Sequence, residues 1–222
     1  MKKKIFILLL LSFCFLSARQ PVKHVPVETQ KSSFISTRET RPTEVIYHED
    51  FENGLNGWTT HDGTLPRSMW HLDDFMTPDE TGLSWWMGDS LIGGYHNRLI
   101  IYLETPEIAV PENSHLTFDL NWNCEEGVSD PPYDGWDGCF VSISEDSEES
   151  WDPIHGSPAY NSTNLYALTD HPGWVGSSEG WIDADFDLSD YEGMNIKIRF
   201  IFASDVAYCT EDDPEMFGMI VD

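Results

Sequence analysis

The chain has 222 residues, and its 12 lysine and arginine residues against 39 aspartate and glutamate residues give a formal net charge of -27. This charge excludes a nucleic-acid-binding surface and argues against docking on anionic lipid, because both need clustered cations. Hydrophobic residues make up 40% and aromatic residues 13% of the chain, which excludes a disordered acidic tail.

The first residues predict export from the cell. Three lysines at positions 2–4 precede an apolar run that extends to Leu16, and the small residues Ser17 and Ala18 follow. A basic start, about 12 apolar residues and a small-residue exit are typical of a secretory signal peptide, which we place at residues 1–18. A membrane anchor is the weaker alternative, because a spanning helix needs about 20 apolar residues.

Residues 19–44 mix prolines with polar residues and show no apolar period, which is typical of a linker. No later stretch approaches the length of a membrane span. We therefore expect a mature chain that does not span the membrane and is secreted or held at the cell surface.

From residue 45 onward, short β-type runs alternate with turn residues. Leu116, Phe118 and Leu120 share one face of such a run, and the apolar residues of 195–203 alternate in the same way. This period of two predicts half-buried strands. The predicted strands are 45–52, 99–102, 115–122, 138–144, 181–188, 195–203 and 216–221.

No segment shows a helical period over three turns, so the sequence predicts an all-β domain at residues 45–222. Short strands with Gly- and Pro-rich connections favour an antiparallel β-sandwich of the jelly-roll type. The chain ends within an apolar run at Asp222, so we expect a C-terminally truncated module. Three cysteines follow the signal, Cys124, Cys139 and Cys209, and an odd number in an oxidising compartment predicts one disulfide and one free thiol, or a bond to another chain.

No catalytic pattern in the sequence is convincing. The segment 176–180 reads G-S-S-E-G and fits G-x-S-x-G, but a nucleophile elbow needs a helix after the serine, whereas the next residues alternate like a strand. We interpret the segment as a turn. The eight histidines include no H-E-x-x-H motif, and paired carboxylates are uninformative among 39 acidic residues.

The acidic residues fit calcium better, because Ca²⁺ takes oxygen ligands from irregular loops. Asp130, Asp134 and Asp137 fall in one loop with Gly and Pro, and residues 48–52 and Asp222 add further carboxylates. The alternative is that these acids only solvate a secreted protein. We assign the aspartates at 183, 185 and 187 to solvation and edge protection, since alternate strand residues lie about 6.6 Å apart.

Nine tryptophans suggest carbohydrate binding, because flat aromatic faces stack on sugar rings. Trp136, Trp151 and Trp174 lie in or beside predicted loops and are the candidate ligand-binding residues. Core packing is the alternative role for each of them.

Several motifs together resemble a family of secreted jelly-roll domains, those of the MAM-like and cleaved-adhesin type. The opening E-D-F-E-N-G-L-N-G-W at 49–58, the D-G-W-D-G-C-F-V-S-I-S at 134–144 with Trp151 after it, and the later G-W, F-D-L-S, Y-E-G and I-R-F runs carry the resemblance. It covers about residues 47–222. It is strongest to the accessory domain of immune-inhibitor-A-like secreted metallopeptidases.

This resemblance implies a non-catalytic sandwich stabilised by calcium, with Asp50, Glu52, Asp137 and Asp222 at the ligand positions. The sequence departs from the family at 145–148, where E-D-S-E replaces D-G-G, and it lacks the second aspartate of the final pair. The peptidase domain of those relatives is not in the sequence.

The sequence thus predicts a secreted recognition or adhesion module that binds an extracellular glycan or protein. The alternatives are an accessory domain of a secreted peptidase or glycosidase, and a structural spacer at the cell surface.

Overall fold

The computed structural model describes residues 44–64, 69–127, 130–145 and 148–222. Residues 45–222 form one compact unit. Its strands are β1 (Thr59–Asp62), β2 (His71–Asp73), β3 (Ser84–Trp86), β4 (Ile100–Glu104), β5 (Ile108–Ala109), β6 (His115–Asn123), β7 (Gly138–Ser144), β8 (Asp152–Pro153), β9 (Ile182–Asp187), β10 (Asn195–Ala203) and β11 (Gly218–Val221). A 3-10 turn at Ser189–Tyr191 is the single helical element in this part of the chain.

The strands form two antiparallel sheets. The six-stranded sheet has the order β1-β4-β10-β7-β8, and β5 also pairs with β10. The five-stranded sheet has the order β2-β3-β11-β6-β9. Two antiparallel sheets with a shared apolar interior confirm the predicted β-sandwich.

The alternation in β10 places its apolar face in the core. Ile196, Ile198, Phe200 and Phe202 are each at most 1% exposed and belong to the main core cluster. The opposite face of the same sheet is also covered near Phe140 and Ile201, which pack with Leu165 and Val175 from the long connection between β8 and β9. This explains why β7 is buried along its whole length.

Six of the predicted strands are confirmed with small shifts at their ends, but the prediction for 45–52 is wrong. That segment contains no strand, and Val45, Ile46 and Tyr47 are exposed. The sequence also missed five strands of two to four residues, β1, β2, β3, β5 and β8. Strands this short do not display a period of two, and all three residues of β3 are buried.

The predicted signal peptide, 1–18, and nearly all of the predicted linker, 19–44, lie outside the described residues. Within the described part of the chain, no helix is long and apolar enough to cross a membrane.

Candidate functional site

Three of the predicted calcium ligands line one cleft. Asp50 and Glu52 come from the opening segment, and Asp222 follows β11. Asp119 in β6 and Asp183 in β9 join them because Asp119 pairs with Asp183 in the strand register and exchanges backbone hydrogen bonds of 2.9 and 3.0 Å with Asp222. We call these five carboxylates the open acidic cleft.

Protein donors already bind one oxygen of each predicted ligand in this cleft. The backbone N–H of Leu83 donates to Glu52 Oε1 at 2.8 Å, and the Ser84 hydroxyl donates to Asp222 Oδ1 at 3.0 Å. The N–H of Glu52 itself donates to Asp50 Oδ1 at 3.2 Å. The candidate metal ligands are therefore all oxygen atoms. Each residue keeps one carboxylate oxygen that these hydrogen bonds do not use and that a hard cation such as Ca²⁺ could bind.

The cleft accumulates negative charge. Partial burial and the neighbouring Glu52, Asp79 and Asp50 raise the pKa of Asp222, against the hydrogen bond from Ser84. Burial and the facing Asp183 raise the pKa of Asp119. A bound cation would offset this repulsion, so the cleft fits the predicted calcium site in chemistry.

Asp137 does not belong to this cleft, which corrects the fourth predicted ligand. It lies directly before β7, with Glu125 and Asp205, whereas Asp119 lies in the middle of β6. Six residues of extended chain, roughly 20 Å, separate Asp119 from Glu125. The resemblance assigns all four acids to calcium ligand positions, whereas the fold places Asp137 in a separate group of acids.

Glu125, Asp137 and Asp205 form what we call the buried acidic cluster. Each offers a carboxylate oxygen within 4.8 Å of the others, the single such group of three among the described residues. Burial raises the pKa of Asp137 to about 8, although the hydrogen bond from Asp205 N–H and the nearby Tyr95 hydroxyl oppose the shift. Burial and the nearby Asp205 charge raise the pKa of Glu125 to about 7.

The predicted calcium loop at 130–137 does not gather its aspartates around one point. Asp134 instead accepts hydrogen bonds of 2.6 to 3.0 Å from the Ser162 hydroxyl, from the N–H and hydroxyl of Thr163 and from the Asn164 N–H. Burial opposes ionisation there, but these donors outweigh it and hold the pKa of Asp134 well below its usual range. Asp134 therefore holds its own loop against residues 162–164 through hydrogen bonds.

The three candidate tryptophans differ in the faces that they present. Trp174 is 1% exposed and packs against Trp122, Tyr160 and Phe186, so its proposed stacking role is wrong: it is a core residue. Trp151 is half-buried, and the Arg199 guanidinium lies 3.7 Å over its ring. One face of Trp151 is thus occupied by the protein itself.

Trp136 is half-buried and lines a cleft of about 550 Å³ with the exposed Tyr208. Its ring also meets Tyr166 edge-on, with centroids 5.3 Å apart, and Tyr166 meets Tyr133 in the same way. Acidic side chains and small residues complete the lining, among them Glu125, Glu126, Asp213, Glu215, Gly176 and Ser177. We call this surface the aromatic cleft.

The segment that fits G-x-S-x-G is a turn, as the alternation after it predicted. Gly176 has φ +68° and Gly180 has φ +124°, and strand β9 follows. The Ser178 hydroxyl accepts from the Trp122 N–H and donates to Asn121, so it ties the turn to β6. Cys124, Cys139 and Cys209 are all free and buried, so the structure contains no disulfide among the described cysteines, and a bond to another chain stays a prediction.

Four carboxylates of the two acidic groups were missed or misjudged from sequence: Asp119, Asp183, Glu125 and Asp205. The sequence analysis assigned Asp183 to solvation and edge protection, but Asp183 lines the cleft. Asp185 and Asp187, which had the same assignment, lie outside the cleft. Strand pairing brings these residues together across 64 positions from Asp119 to Asp183 and 68 from Asp137 to Asp205. No local pattern encodes such a pairing, so only the register could have revealed it.

The two sheets define residues 45–222 as a β-sandwich module, and part of one known protein is similar to it in sequence. The chain is 25% identical over 166 residues to bacillopeptidase F of Bacillus subtilis (strain 168), a match that covers 74% of this chain and 10% of that protein. The chain therefore spans about a tenth of that relative's length. No family model matches the chain.

Among solved structures, the chain is similar to two cleaved adhesin domains of Lys-gingipain from Porphyromonas gingivalis W83. The K3 domain gives a TM-score of 0.47 at 16% identity, over 80% of this chain and 95% of that one. The K1 domain gives 0.44 at 17% identity, over 78% and 92%. Both TM-scores are below 0.5, so the fold assignment rests on the two sheets described above.

Proposed function

We propose that this chain is a non-catalytic, secreted or cell-surface recognition module that binds a neutral extracellular glycan in the aromatic cleft. The observation that carries the proposal is the position of Trp136 and Tyr208 on the lining of one cleft. Aromatic rings stack on the apolar faces of sugars, and carboxylates such as Glu126 and Glu215 accept hydrogen bonds from sugar hydroxyls.

The negative charge of the aromatic cleft restricts the class of glycan that it can bind. Its ionisable lining residues are all acidic apart from the tyrosine and the cysteine, and the whole chain carries a net charge of -27. Sialylated or sulfated glycans would bring like charges together and desolvate them. We therefore expect neutral sugars to bind and anionic sugars to be rejected.

A glycan array probed with the full chain tests the proposal, with Trp136→Ala and Trp151→Ala as a matched pair. Binding to neutral glycans that Trp136→Ala abolishes and Trp151→Ala preserves is the expected result, because Arg199 already covers one face of Trp151. Equal binding by both variants would remove the aromatic cleft from the proposal. Binding to matrix proteins instead of glycans would make the partner a protein.

Calcium at the open acidic cleft belongs to the same proposal, with Asp50, Glu52 and Asp222 as ligands and Asp119 and Asp183 as neighbours. The supporting observation is that each of the three predicted ligands keeps one oxygen free of the protein hydrogen bonds described above. When bound, the ion would tie the opening segment to the final strand. We expect no calcium binding at this cleft in the Glu52→Gln/Asp222→Asn double variant.

An accessory domain of a secreted peptidase is the second candidate function, and the similarity to part of bacillopeptidase F favours it. In this case the module would position a separate catalytic domain on a protein substrate. Casein hydrolysis by the full-length gene product, but not by this 222-residue chain, would support it. Absence of hydrolysis by the full-length product would contradict the peptidase role.

A further inference from the structure

The buried acidic cluster lies where the two sheets meet at one end of the sandwich. Glu125 follows β6 of the five-stranded sheet. Asp137 directly precedes β7, and Asp205 follows β10, both in the six-stranded sheet. Because Gly138 pairs with Ala203 in the register, Asp137 and Asp205 are held close, and the Asp205 N–H donates to Asp137 Oδ1 at 2.6 Å.

The second oxygen of Asp137 has no hydrogen-bond partner among the described residues. Asp137 is 0% exposed, yet its Oδ2 accepts no hydrogen bond of normal geometry from any described residue. The Tyr95 hydroxyl lies near enough to favour the ionised carboxylate but does not satisfy this atom. Glu125 Oε2 is also buried, and no residue in the described ranges forms a hydrogen bond with it.

No cation in the described part of the chain forms an ion pair with these three side chains. Over residues 44–64, 69–127, 130–145 and 148–222, every ion pair of Lys, Arg or His involves other acids. A buried carboxylate without a partner costs several kcal/mol, and like charges at this separation repel one another. The arrangement therefore demands an external positive charge or protons.

The oxygen spacing suits a hard divalent cation. Ca²⁺ binds oxygen at about 2.3–2.6 Å, so two ligands on opposite sides of the ion lie about 4.6–5.2 Å apart. The three carboxylate oxygens lie within 4.8 Å of one another, which needs no rearrangement of the strands. The nearby Cys124 Sγ instead approaches the carbonyl oxygens of Asp137 and Trp174, so the donor set is all oxygen.

We propose that Glu125, Asp137 and Asp205 hold a buried divalent cation of the calcium class, separate from the open acidic cleft, and that this ion joins the two sheets at their common end. The ion replaces the missing partner of Asp137 Oδ2 and cancels the charge of two of the three carboxylates.

The site also adjoins the aromatic cleft. Glu125 belongs to the cluster and lines the cleft, Asp137 follows Trp136, and Asp205 lies three residues before Tyr208. A cation here would fix the backbone on both sides of the cleft. This coupling rests on the proposed function, whereas the cation site itself does not.

Calcium titration of the full chain by calorimetry, after treatment with a chelator, tests the site. Wild type is compared with Asp137→Asn, which is isosteric with the protonated carboxyl, and with Glu52→Gln/Asp222→Asn as the matched control. We expect two binding events in wild type and the loss of a different one in each variant. Glu125→Gln, at a half-exposed position, serves as a second variant of the site.

Thermal unfolding separates a cation ligand from a merely structural acid. With chelator, Asp137→Asn should melt no lower than wild type, because the variant removes a buried charge. With calcium, wild type should melt higher than Asp137→Asn, so the order of the two proteins reverses. A structural carboxyl would give the same order under both conditions.

Unchanged calcium binding in both Asp137→Asn and Glu125→Gln would overturn the buried site, even if the control variant loses its own binding event. Absence of any calcium binding by wild type would overturn both cation sites but not the glycan proposal. The coupling is tested by glycan affinity with and without calcium. A decrease on chelation in the control variant, but not in Asp137→Asn, is expected, and equal affinities throughout would refute the coupling.

Discussion

The open acidic cleft and the buried acidic cluster contain the same chemical groups in different surroundings. In the cleft, Glu52 and Asp222 receive hydrogen bonds from Leu83 and Ser84, and water screens the remaining charge. In the cluster, Asp137 is fully buried, and one of its oxygens has no hydrogen-bond partner among the residues that the structure describes. By our proposals, an ion would add stability to the first region and would replace a missing partner in the second.

Removal of calcium should have the largest effect, because it acts on both regions. A ligand that binds only the native state adds about 2.7 kcal/mol at 100 times its Kd, so two sites add about 5 kcal/mol. For a unit of this size, this amounts to roughly 10–20 °C in Tm. Differential scanning calorimetry with chelator and with excess calcium measures it, and sodium chloride of equal ionic strength is the control. Identical melting under both conditions would contradict the calcium proposals for both regions.

Asp134→Ala sharpens the comparison by removing an acid that the protein itself fully satisfies. It should cost about 2–3 kcal/mol, the usual worth of hydrogen bonds to a charged group, with or without calcium. Because the folded-state pKa of Asp134 lies below its unfolded value, its contribution is present above about pH 4 and is lost as the pH falls further. Chemical denaturation at pH 7 and pH 3 checks both points. A calcium-dependent cost would mean that Asp134 belongs to an ion site after all.

Gly82→Ala should disturb the open cleft without removing a carboxylate. Its φ is +87°, and an added Cβ would lie 2.5 Å from Glu52 Oε1. The backbone strain costs about 1–2 kcal/mol, and the displaced Glu52 should weaken one calcium-binding event. The control is Gly193→Ala, where φ is +80° and no atom lies within 4 Å. Calorimetry should show that the control retains calcium affinity, and equal losses would argue that strain acts alone.

Asp183→Asn and Asp185→Asn should have the smallest effects, and they test whether position in the open acidic cleft matters. The two residues lie on the same face of strand β9. Asp183 lines the open cleft, whereas Asp185 pairs with His115 at 2.7 Å, with both side chains more than half exposed. Each substitution should change stability by less than about 1 kcal/mol. Calcium affinity should fall only in Asp183→Asn. An equal loss of calcium affinity in Asp185→Asn would show that the overall negative charge of the protein, and not the position of the carboxylate in the cleft, governs calcium binding.

Much of the fold could be predicted from the sequence. The long strands β6, β7, β9 and β10 carry either an apolar alternation or a bounded apolar run, and their ends were placed within one residue. The short strands β1, β2 and β5 were missed because four residues or fewer carry no period. The segment 45–52, which the sequence predicts to be a strand, contains none.

The candidate sites were only partly predictable. Asp50, Glu52 and Asp222 were placed together through a resemblance, and they do share a cleft. Asp137 was assigned to the same site although it lies with Glu125 and Asp205. Trp174 was placed on the surface because it follows a loop, whereas the loop folds over the sheet and buries it.

The sequence by itself determined the fold class, because an apolar period of two and turn residues are local properties of the chain. It also determined the strong negative charge, which argues against nucleic acid and anionic lipid as partners. Only the tertiary structure decided which acids stand together, because strand register joins residues more than 60 positions apart. The same holds for the buried carboxylate of Asp137, since burial depends on what packs around a residue and not on its neighbours along the chain.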